Sequence, residues 1–287
     1  MSKLVLGTVQ FGLDYGISNS RGKVPENEIN SILQDAYTSG IRILDTASAY
    51  GSSEEVISKS QTTIGKEFSI ISKYPVNVDS SPFAWIDTSL SKLHRISLYG
   101  YMFHNFEIYR KHPEYVDDLV KIKESNKAEK IGYSLYFPQE AETILKNNLP
   151  CDIIQIPYNI FDQRFQYLLP DLKKRNIEIH VRSIFLQGLF FMKIDSLSDF
   201  FDPVKEKLVK LHKYADEKKV SMQDICLGFV NSNPCIDHIV FGVDSLINLN
   251  DNIKSYENIR NQNFFYNDLE YLREENEDIL LPGKWRK

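Results

Sequence analysis

Short apolar runs rich in β-branched residues alternate with amphipathic stretches along the whole chain, and this alternation constrains the fold more than any other feature. The runs that predict strands are residues 4–7, 41–45, 68–73, 96–104, 129–133, 153–156, 178–182 and 238–241. The stretches that predict helices are residues 26–39, 54–61, 82–93, 114–124, 139–146, 163–175, 204–219 and 246–258. Strands that alternate with helices form parallel sheets, because each helix makes the crossover from one strand to the next.

Eight strand–helix pairs without a break predict a single α/β domain over residues 1–287, folded as a closed (β/α)8 barrel, or TIM barrel. The alternative is an open doubly wound sheet, usually marked by Gly-x-Gly-x-x-Gly between the first strand and the next helix. Residues 7–12 lack this pattern and no helical pattern follows them directly, so we expect the barrel. Residues 189–203 predict an irregular loop over one end, and residues 267–287 predict a tail packed on the barrel.

Charge and cysteine usage argue against several classes of protein. The formal net charge of −5 and the isoelectric point near 5.8 disfavour nucleic acid as a partner, since nucleic-acid binding needs a basic face. No apolar stretch approaches the roughly 20 residues that cross a membrane. Cys151, Cys226 and Cys235 form no Cys-x-x-Cys pair, which favours buried free thiols in a reducing compartment. We therefore expect a cytoplasmic protein that binds neither nucleic acid nor membrane nor metal.

Four polar residues stand at or just beyond the ends of three consecutive predicted strands. Asp45 closes the second strand, and Tyr50 follows it in the next loop. Lys73 closes the third strand and His104 closes the fourth. The carboxyl ends of the strands of a barrel share one rim, where active sites are built. Each residue alone has an ordinary structural explanation, but together they predict one site.

These four groups suit the donation of a proton to an oxygen. A phenol has a pKa of about 10, so it needs a neighbouring cation that favours its anion before it can act as an acid at neutral pH. Lys73 supplies that cation, Asp45 keeps the ammonium charged, and a hydrogen bond from His104 can orient a carbonyl oxygen. A carbonyl that accepts hydride at carbon needs such an acid at its oxygen. The remaining histidines are interpreted as structural or solvated: His94, His112, His180, His212 and His238.

Two motifs around these residues resemble the opening motifs of the aldo-keto reductases. They are Leu-Gly-Thr-Val-Gln-Phe-Gly at 6–12 and Leu-Asp-Thr-Ala-Ser-Ala-Tyr-Gly-Ser-Ser-Glu at 44–54, and the resemblance continues to residues 240–245. It implies a (β/α)8 barrel that reduces a small-molecule carbonyl substrate with NADP(H) or NAD(H). It also implies that Asp45, Tyr50, Lys73 and His104 are the catalytic residues. The protein is expected to be a monomer or a homo-oligomer.

The resemblance further implies which residues bind the cofactor. Ser134 and Gln155 match positions that hold the nicotinamide carboxamide, and Asp251 and Asn252, which open the last helix, match positions that contact the adenosine end. Residues 242–245 form the loop where a 2′-phosphate would rest near a helix N-terminus. The whole implied set is Gly7, Thr8, Asp45, Ser134, Gln155, Arg182, Ser183, Phe185, Gln187, Gly242, Asp244, Ser245, Asn248, Asp251 and Asn252.

Departures from the family pattern bear on the ligands. Arg182 stands where many members have an aromatic residue against nicotinamide. We interpret it either as a contact to an anionic substrate or to the cofactor, or as half of a structural ion pair with Asp45 or Asp162. Asn248 replaces an arginine that binds the 2′-phosphate in some members, and Asp244 disfavours that phosphate, so we expect weak discrimination between NADPH and NADH. We also expect the N-terminal hairpin that often closes the barrel bottom to be missing.

Other functions stay open on the sequence. Residues 6–17 and 181–188 are similar to a bacterial subgroup often encoded with surface-polysaccharide genes, which suggests a sugar or nucleotide-sugar substrate. One alternative function is a nicotinamide-binding, redox-sensing subunit with little turnover. Another is a barrel lyase in which Lys73 forms a Schiff base with its substrate.

Overall fold

A closed barrel of eight parallel strands forms the centre of the molecule. The computed structural model describes residues 2–17, 19, 21–76, 78–260 and 266–285. The strands are β1 (Leu4–Gly7), β2 (Ile43–Asp45), β3 (Ser69–Tyr74), β4 (Leu98–Phe103), β5 (Ala128–Ser134), β6 (Ile153–Pro157), β7 (Glu178–Arg182) and β8 (His238–Gly242). Each strand pairs with the next, and β1 also pairs with β8, so the sheet closes on itself. The predicted strands and the (β/α)8 barrel are confirmed.

Helices surround the barrel, and each predicted helical stretch contains one. They are α1 (Val9–Gly12), α2 (Glu26–Thr38), α3 (Ser53–Ile64), α4 (Pro82–Leu93), α5 (Glu107–Lys111), α6 (Tyr115–Glu124), α7 (Pro138–Lys146), α8 (Leu169–Lys174), α9 (Asp202–Lys218), α10 (Met222–Asn231), α11 (Leu246–Arg260) and α12 (Glu277–Leu280). The sequence did not predict α5 or α10. It also showed no helix directly after β1, and this expectation is wrong because α1 follows there.

The ten-residue helix α10 escaped prediction because it has no wide polar face. Seven consecutive residues, 224–230, are buried, so the periodic pattern of a surface helix is absent. Its start carries a recognisable signal. The Ser221 hydroxyl accepts a hydrogen bond from the backbone N–H of Asp224, whose carboxylate accepts one from the Ser221 N–H. This reciprocal capping box marks a helix N-terminus even where periodicity does not.

Apolar side chains fill two regions of the barrel. The larger lies mainly between the strands and the surrounding helices. The smaller consists of Ile71, Met102 and Ile153, which come from β3, β4 and β6. Because β6 is not a neighbour of β3 or β4 in the sheet, these side chains meet across the inside of the barrel. The interior is therefore packed, as expected for a barrel of this size.

The C-terminal tail packs on the barrel, as the sequence predicts. Leu269, Leu272 and Trp285 are buried, and the Glu274 N–H donates a 2.9 Å hydrogen bond to the Phe161 carbonyl. The last two residues of the predicted tail, 286 and 287, lie outside the described residues.

Residues 189–203, expected to be irregular, contain short 3-10 helical turns. Among the helices that the structure describes, none has the length and apolar character needed to cross a membrane.

A polar cluster lies at the amino ends of the strands. Glu178 accepts hydrogen bonds from Tyr99 at 2.9 Å, from His180 Nε2 at 2.7 Å and from Lys130. The His238 ring lies 4.5 Å from the His180 ring, and possible metal-ligating atoms of Glu178, His180 and His238 all lie within 4.8 Å of one another. Three donors already share the Glu178 carboxylate, so hydrogen bonding accounts for this grouping. Both histidines are therefore placed as structural residues far from the rim that carries Tyr50.

Two glycines fix the loop that carries Tyr50. A Cβ atom on Gly12 would lie 1.7 Å from the Tyr50 carbonyl oxygen and 2.8 Å from the Ser53 nitrogen. Gly51 has a φ of +57°, a left-handed conformation that favours glycine, and a Cβ there would lie 2.7 Å from the Gly12 oxygen. The two backbones approach so closely that neither position has room for a side chain. This contact sets the position of Tyr50 relative to β1.

Replacing Gly12 should therefore displace the Tyr50 loop. We expect Gly12→Ala to lower the free energy of unfolding by about 1–3 kcal/mol, as overpacking does elsewhere. Gly283→Ala is the matched control, because a Cβ at that position has no atom within 4 Å. It should change the free energy by less than about 0.5 kcal/mol. Urea denaturation measures both, and equal effects of the two substitutions would show that the Gly12 contact does not constrain the loop.

Candidate active site

The four predicted residues line one cavity at the carboxyl end of the strands. Asp45 is the last residue of β2, Lys73 is the last but one of β3, and His104 directly follows β4. Tyr50 lies in the loop between β2 and α3. The cavity measures about 330 Å³, within the range of small-molecule sites. The structure thus brings together the phenol, the ammonium, the carboxylate and the imidazole.

A buried ion pair joins Lys73 to Asp45. The ammonium donates to both carboxylate oxygens, at 2.7 and 2.8 Å, and to the Thr46 carbonyl at 2.9 Å. Gln155 Nε2 donates a further 2.8 Å hydrogen bond to the Asp45 carboxylate. Burial lowers the pKa of Lys73, and the Asp45 carboxylate opposes this effect. All three N–H groups of the ammonium are therefore used within the protein.

The Tyr50 phenol packs beside this pair without a hydrogen bond to it among the described contacts. The Lys73 nitrogen lies 5.3 Å from the centre of the Tyr50 ring. The His104 ring packs edge-on against Tyr50, with 5.6 Å between centroids. Burial raises the pKa of Tyr50 well above its ordinary value, and Asp45 raises it further. The expected lowering of the Tyr50 pKa is therefore not found, and the Lys73 ammonium donates its hydrogen bonds to Asp45 and Thr46 and not to the phenol.

His104 is a neutral hydrogen-bonding group at physiological pH. Burial, together with the charges of Lys73 and Arg182, lowers the pKa of His104 to about 4. Its Nδ1 atom is buried and has no hydrogen-bond partner among the described residues. A neutral imidazole carries one N–H, so it can donate one hydrogen bond to an oxygen in the cavity.

Most residues expected to bind the cofactor border this cavity. They are Gly7, Thr8, Asp45, Ser134, Gln155, Arg182, Ser183, Phe185, Gln187, Gly242, Asp244 and Asn248. Ser245, Asp251 and Asn252 are not among the residues that line it. Helix α11 begins at Leu246, so Asp251 and Asn252 lie in its second turn, and the expectation that they open the helix is wrong. The Asn252 side chain instead donates a 3.1 Å hydrogen bond to Asn248.

The ion pair considered for Arg182 is not formed. Asp45 is bound by Lys73, and Asp162 accepts two hydrogen bonds of 2.8 Å from Arg164. None of the ion pairs among the described residues includes Arg182. The interpretation of Arg182 as half of an ion pair with either carboxylate is therefore wrong, and its guanidinium remains available to a ligand.

Two charged residues that the sequence analysis missed, Arg21 and Glu28, lie beside Asp244, which lines the cavity. Arg21 donates to the Glu28 carboxylate at 2.7 and 3.1 Å and to the Asp244 carbonyl at 3.0 Å. Glu28 also accepts a 3.0 Å hydrogen bond from the Leu246 N–H at the start of α11. A side-chain carboxylate thus occupies the helix N-terminus where the resemblance implies a phosphate. No local pattern could have identified this group, because it joins two loops and two helices that are distant in sequence.

The family model of the aldo/keto reductases, described as "Aldo/keto reductase family", matches residues 3–270. The fold is similar to that of aldo-keto reductase AKR11C1 from Bacillus halodurans in its holo form, at 16% identity over 94% of this chain and 95% of that one, with a TM-score of 0.70. It is also similar to a Pseudomonas aeruginosa protein assigned to the aldo-keto reductases, at 20% identity over 90% and 91% of the chains, with a TM-score of 0.68. No curated protein matches the sequence. Because the family model covers nearly the whole chain, this protein belongs to the aldo/keto reductase family.

Proposed function

We propose that this protein reduces an aldehyde or a ketone to an alcohol with NADH or NADPH, and that Tyr50 donates the proton. The observation that carries the proposal is that Asp45, Tyr50, Lys73 and His104 line one cavity. Tyr50 is an acid that keeps its proton at neutral pH, His104 is a neutral hydrogen-bond donor, and Lys73 is held in place by Asp45. Together these groups suit a carbonyl whose oxygen gains negative charge.

A bound nicotinamide cofactor supplies the hydride in this reaction. Ser134 and Gln155 would hold its nicotinamide end, and residues 242–245 its adenosine end. The Gln155 amide nitrogen donates a hydrogen bond to the Asp45 carboxylate. The Gln155 side-chain oxygen therefore remains able to accept a hydrogen bond from a carboxamide. Near Gly242, the buried Gln10 Oε1 has no hydrogen-bond partner among the described residues and is a further acceptor on the cavity wall. The Ser134 hydroxyl and the Gln155 amide oxygen fit a polar, neutral carboxamide, and Gln10 offers its acceptor near the residues proposed for the adenosine end.

Proton transfer follows from the charges around Tyr50. Its raised pKa keeps the phenol protonated at neutral pH. A hydrogen bond from neutral His104 would orient the substrate oxygen towards Tyr50 as negative charge develops there. The chain therefore supplies a protonated donor, Tyr50, and a neutral group, His104, that can orient the acceptor oxygen.

The contacts of Lys73 favour the reductase over a Schiff-base lyase. A Schiff base requires an unprotonated amine that is free to attack a carbonyl. Lys73 is 1% exposed, and its nitrogen is held by two carboxylate oxygens and a backbone carbonyl. An amine held in this way serves as a fixed charge and not as a nucleophile.

We further propose a polar carbonyl compound such as a sugar or a nucleotide sugar as the substrate, and the cytoplasm as the compartment. Tyr15, Tyr136 and Phe191 contribute aromatic side chains to the cavity wall beside its polar groups. Aromatic rings next to hydrogen-bonding groups suit ligands with apolar faces and polar edges. The three cysteines are free, which supports a reducing compartment.

Substitution of the acid tests the reaction. Tyr50→Phe should lower kcat by about 10²–10⁴-fold, because it removes only the proton donor. Cofactor affinity, measured by fluorescence titration, should stay close to that of the wild type. Tyr271→Phe is the control, since Tyr271 is an exposed phenol outside the cavity. Full activity of Tyr50→Phe with benzaldehyde would contradict the assignment. A wild-type protein that binds the cofactor but turns over no carbonyl would instead favour the redox-sensing function.

Cofactor choice should depend on Glu28. We expect wild-type affinities for NADPH and NADH within about tenfold of each other, because the Glu28 and Asp244 carboxylates offset Arg21 where a 2′-phosphate would rest. Glu28→Gln should shift the affinity ratio towards NADPH by about tenfold, because it releases one charge-assisted partner of Arg21.

A carboxylate on the same helix provides the matched control for Glu28. Glu26→Gln should leave the NADPH to NADH ratio unchanged, since Glu26 pairs with Lys59, whereas Glu28 pairs with Arg21. Fluorescence titration of both cofactors measures the ratio in each protein. A wild-type preference for NADPH of several orders of magnitude would show that Arg21 is not neutralised by Glu28.

A further inference from the structure

The guanidinium of Arg182 is a charged group in the cavity, and the proposed reaction gives it no ligand. Arg182 is the last residue of β7 and borders the same cavity as Tyr50. Its Nη2 donates to the Leu135 carbonyl at 3.0 Å and its Nη1 to the Ser183 hydroxyl at 3.3 Å. The guanidinium carbon lies 4.3 Å from the centre of the Tyr136 ring. These contacts orient the group while using only some of its five N–H donors.

Among the residues that the structure describes, no carboxylate forms an ion pair with Arg182. Buried and half-buried arginines are usually paired, as Arg164 is with Asp162 in this protein. Asp45, the carboxylate beside the catalytic residues, is already neutralised by Lys73. The three charged residues near Tyr50, namely Asp45, Lys73 and Arg182, therefore have a net positive charge, while Asp244, the other carboxylate that lines the cavity, lies in the loop after β8. An uncompensated cation in a small-molecule cavity is a binding site for an anion.

The loop after Arg182 has a strained backbone that supports a functional role. Ser183, Leu186 and Gln187 have φ values of +59°, +46° and +52°, in the left-handed region that residues other than glycine seldom adopt. Asn159, in the loop after β6, donates a 2.9 Å hydrogen bond from its Nδ2 to the Ser183 carbonyl and so holds the first of these residues. Strained residues of this kind persist mainly at ligand sites. Here they follow directly on Arg182.

We propose that the carbonyl substrate carries an anionic group, a carboxylate or a phosphate, and that Arg182 binds it. This inference rests on the proposed reductase function. The anion is assigned to the substrate because the negative charges of the cofactor lie on its pyrophosphate and adenosine end, whereas the nicotinamide ring and carboxamide that would lie beside Tyr50 are uncharged. The planar guanidinium matches both carboxylate and phosphate oxygens. An anion bound by Arg182 would place the substrate carbonyl near Tyr50 and His104.

Paired substrates that differ in one charge test the proposal. The carboxylate pair is 4-carboxybenzaldehyde with benzaldehyde, and the phosphate pair is glyceraldehyde 3-phosphate with glyceraldehyde. In at least one pair, Arg182→Gln should lower kcat/KM for the anionic member by about 10–100-fold and for the neutral member by less than about threefold. Arg182→Lys should recover part of the loss, since it keeps the charge but not the planar fork. The pair that responds identifies the anion.

Arg175→Gln is the matched control. Arg175 is also half-buried and donates to two backbone carbonyls, of Ile144 and Leu149, but it lies outside the cavity. Its substitution should affect the charged and neutral substrates equally. If Arg182→Gln instead lowers kcat/KM equally for all four substrates, the proposal is wrong. Weaker NADH binding in that variant would then place Arg182 on the cofactor, and unchanged NADH binding would place it in the scaffold.

A binding measurement separates this proposal from the reductase function. Benzoate is titrated against the protein with NADH, with benzyl alcohol as the neutral comparison. Saturable benzoate binding that Arg182→Gln weakens by about tenfold or more supports the anion site, even for a protein that reduces no aldehyde. In that case only the reductase function fails. Turnover of neutral aldehydes without any benzoate binding or preference for an anionic substrate would overturn the anion site alone.

Discussion

The buried ion pair between Asp45 and Lys73 is the interaction on which the site depends. Moving each ion out of water costs roughly several kcal/mol, and mutual attraction offsets this only where further hydrogen bonds complete both groups. The exposed fractions of the side chains are 1% for Lys73 and 5% for Asp45. Thr46 and Gln155 supply the additional hydrogen bonds. Such a pair adds little net stability, and its effect on the site is to hold Asp45 and Lys73 in fixed positions beside Tyr50.

The backbone of Asp45 also links this charge to the position of the acid. The Thr8 N–H and hydroxyl donate to the Asp45 carbonyl at 2.9 and 3.0 Å, which ties the end of β1 to the end of β2. Thr8 precedes α1, whose last residue, Gly12, lies against the backbone of Tyr50. A short series of contacts from Asp45 through α1 therefore positions Tyr50. The barrel rim fixes the distance between the cation and the phenol without a direct bond between them.

The sequence predicted what depends on neighbouring residues and missed what depends on distant ones. Strand ends are local features, so Asp45, Lys73 and His104 could be placed on one rim as soon as parallel strands were inferred. The pairing of Arg21 with Glu28 and Asp244 joins residues up to 223 positions apart, and no local pattern contains it. The raised pKa of Tyr50 also depends on contacts that the sequence does not show. The sequence predicts a lysine near the phenol, but it does not show that Asp45 and Thr46 accept the hydrogen bonds of the ammonium.

The two ends of the barrel differ in whether their charged and polar side chains have partners within the protein. This difference distinguishes the structural end from the end that carries the candidate site. At the amino ends of the strands, Glu178 is matched by Lys130 and bound by His180, so the carboxylate is satisfied within the protein. At the carboxyl ends, Arg182 has no carboxylate partner among the described residues, and buried His104 Nδ1 has no hydrogen-bond partner among them. Leaving a buried polar atom such as His104 Nδ1 without a partner costs about 1–3 kcal/mol. The paired charges at the amino ends do not add to this cost in free energy. At the carboxyl ends, a bound ligand would supply the missing contacts.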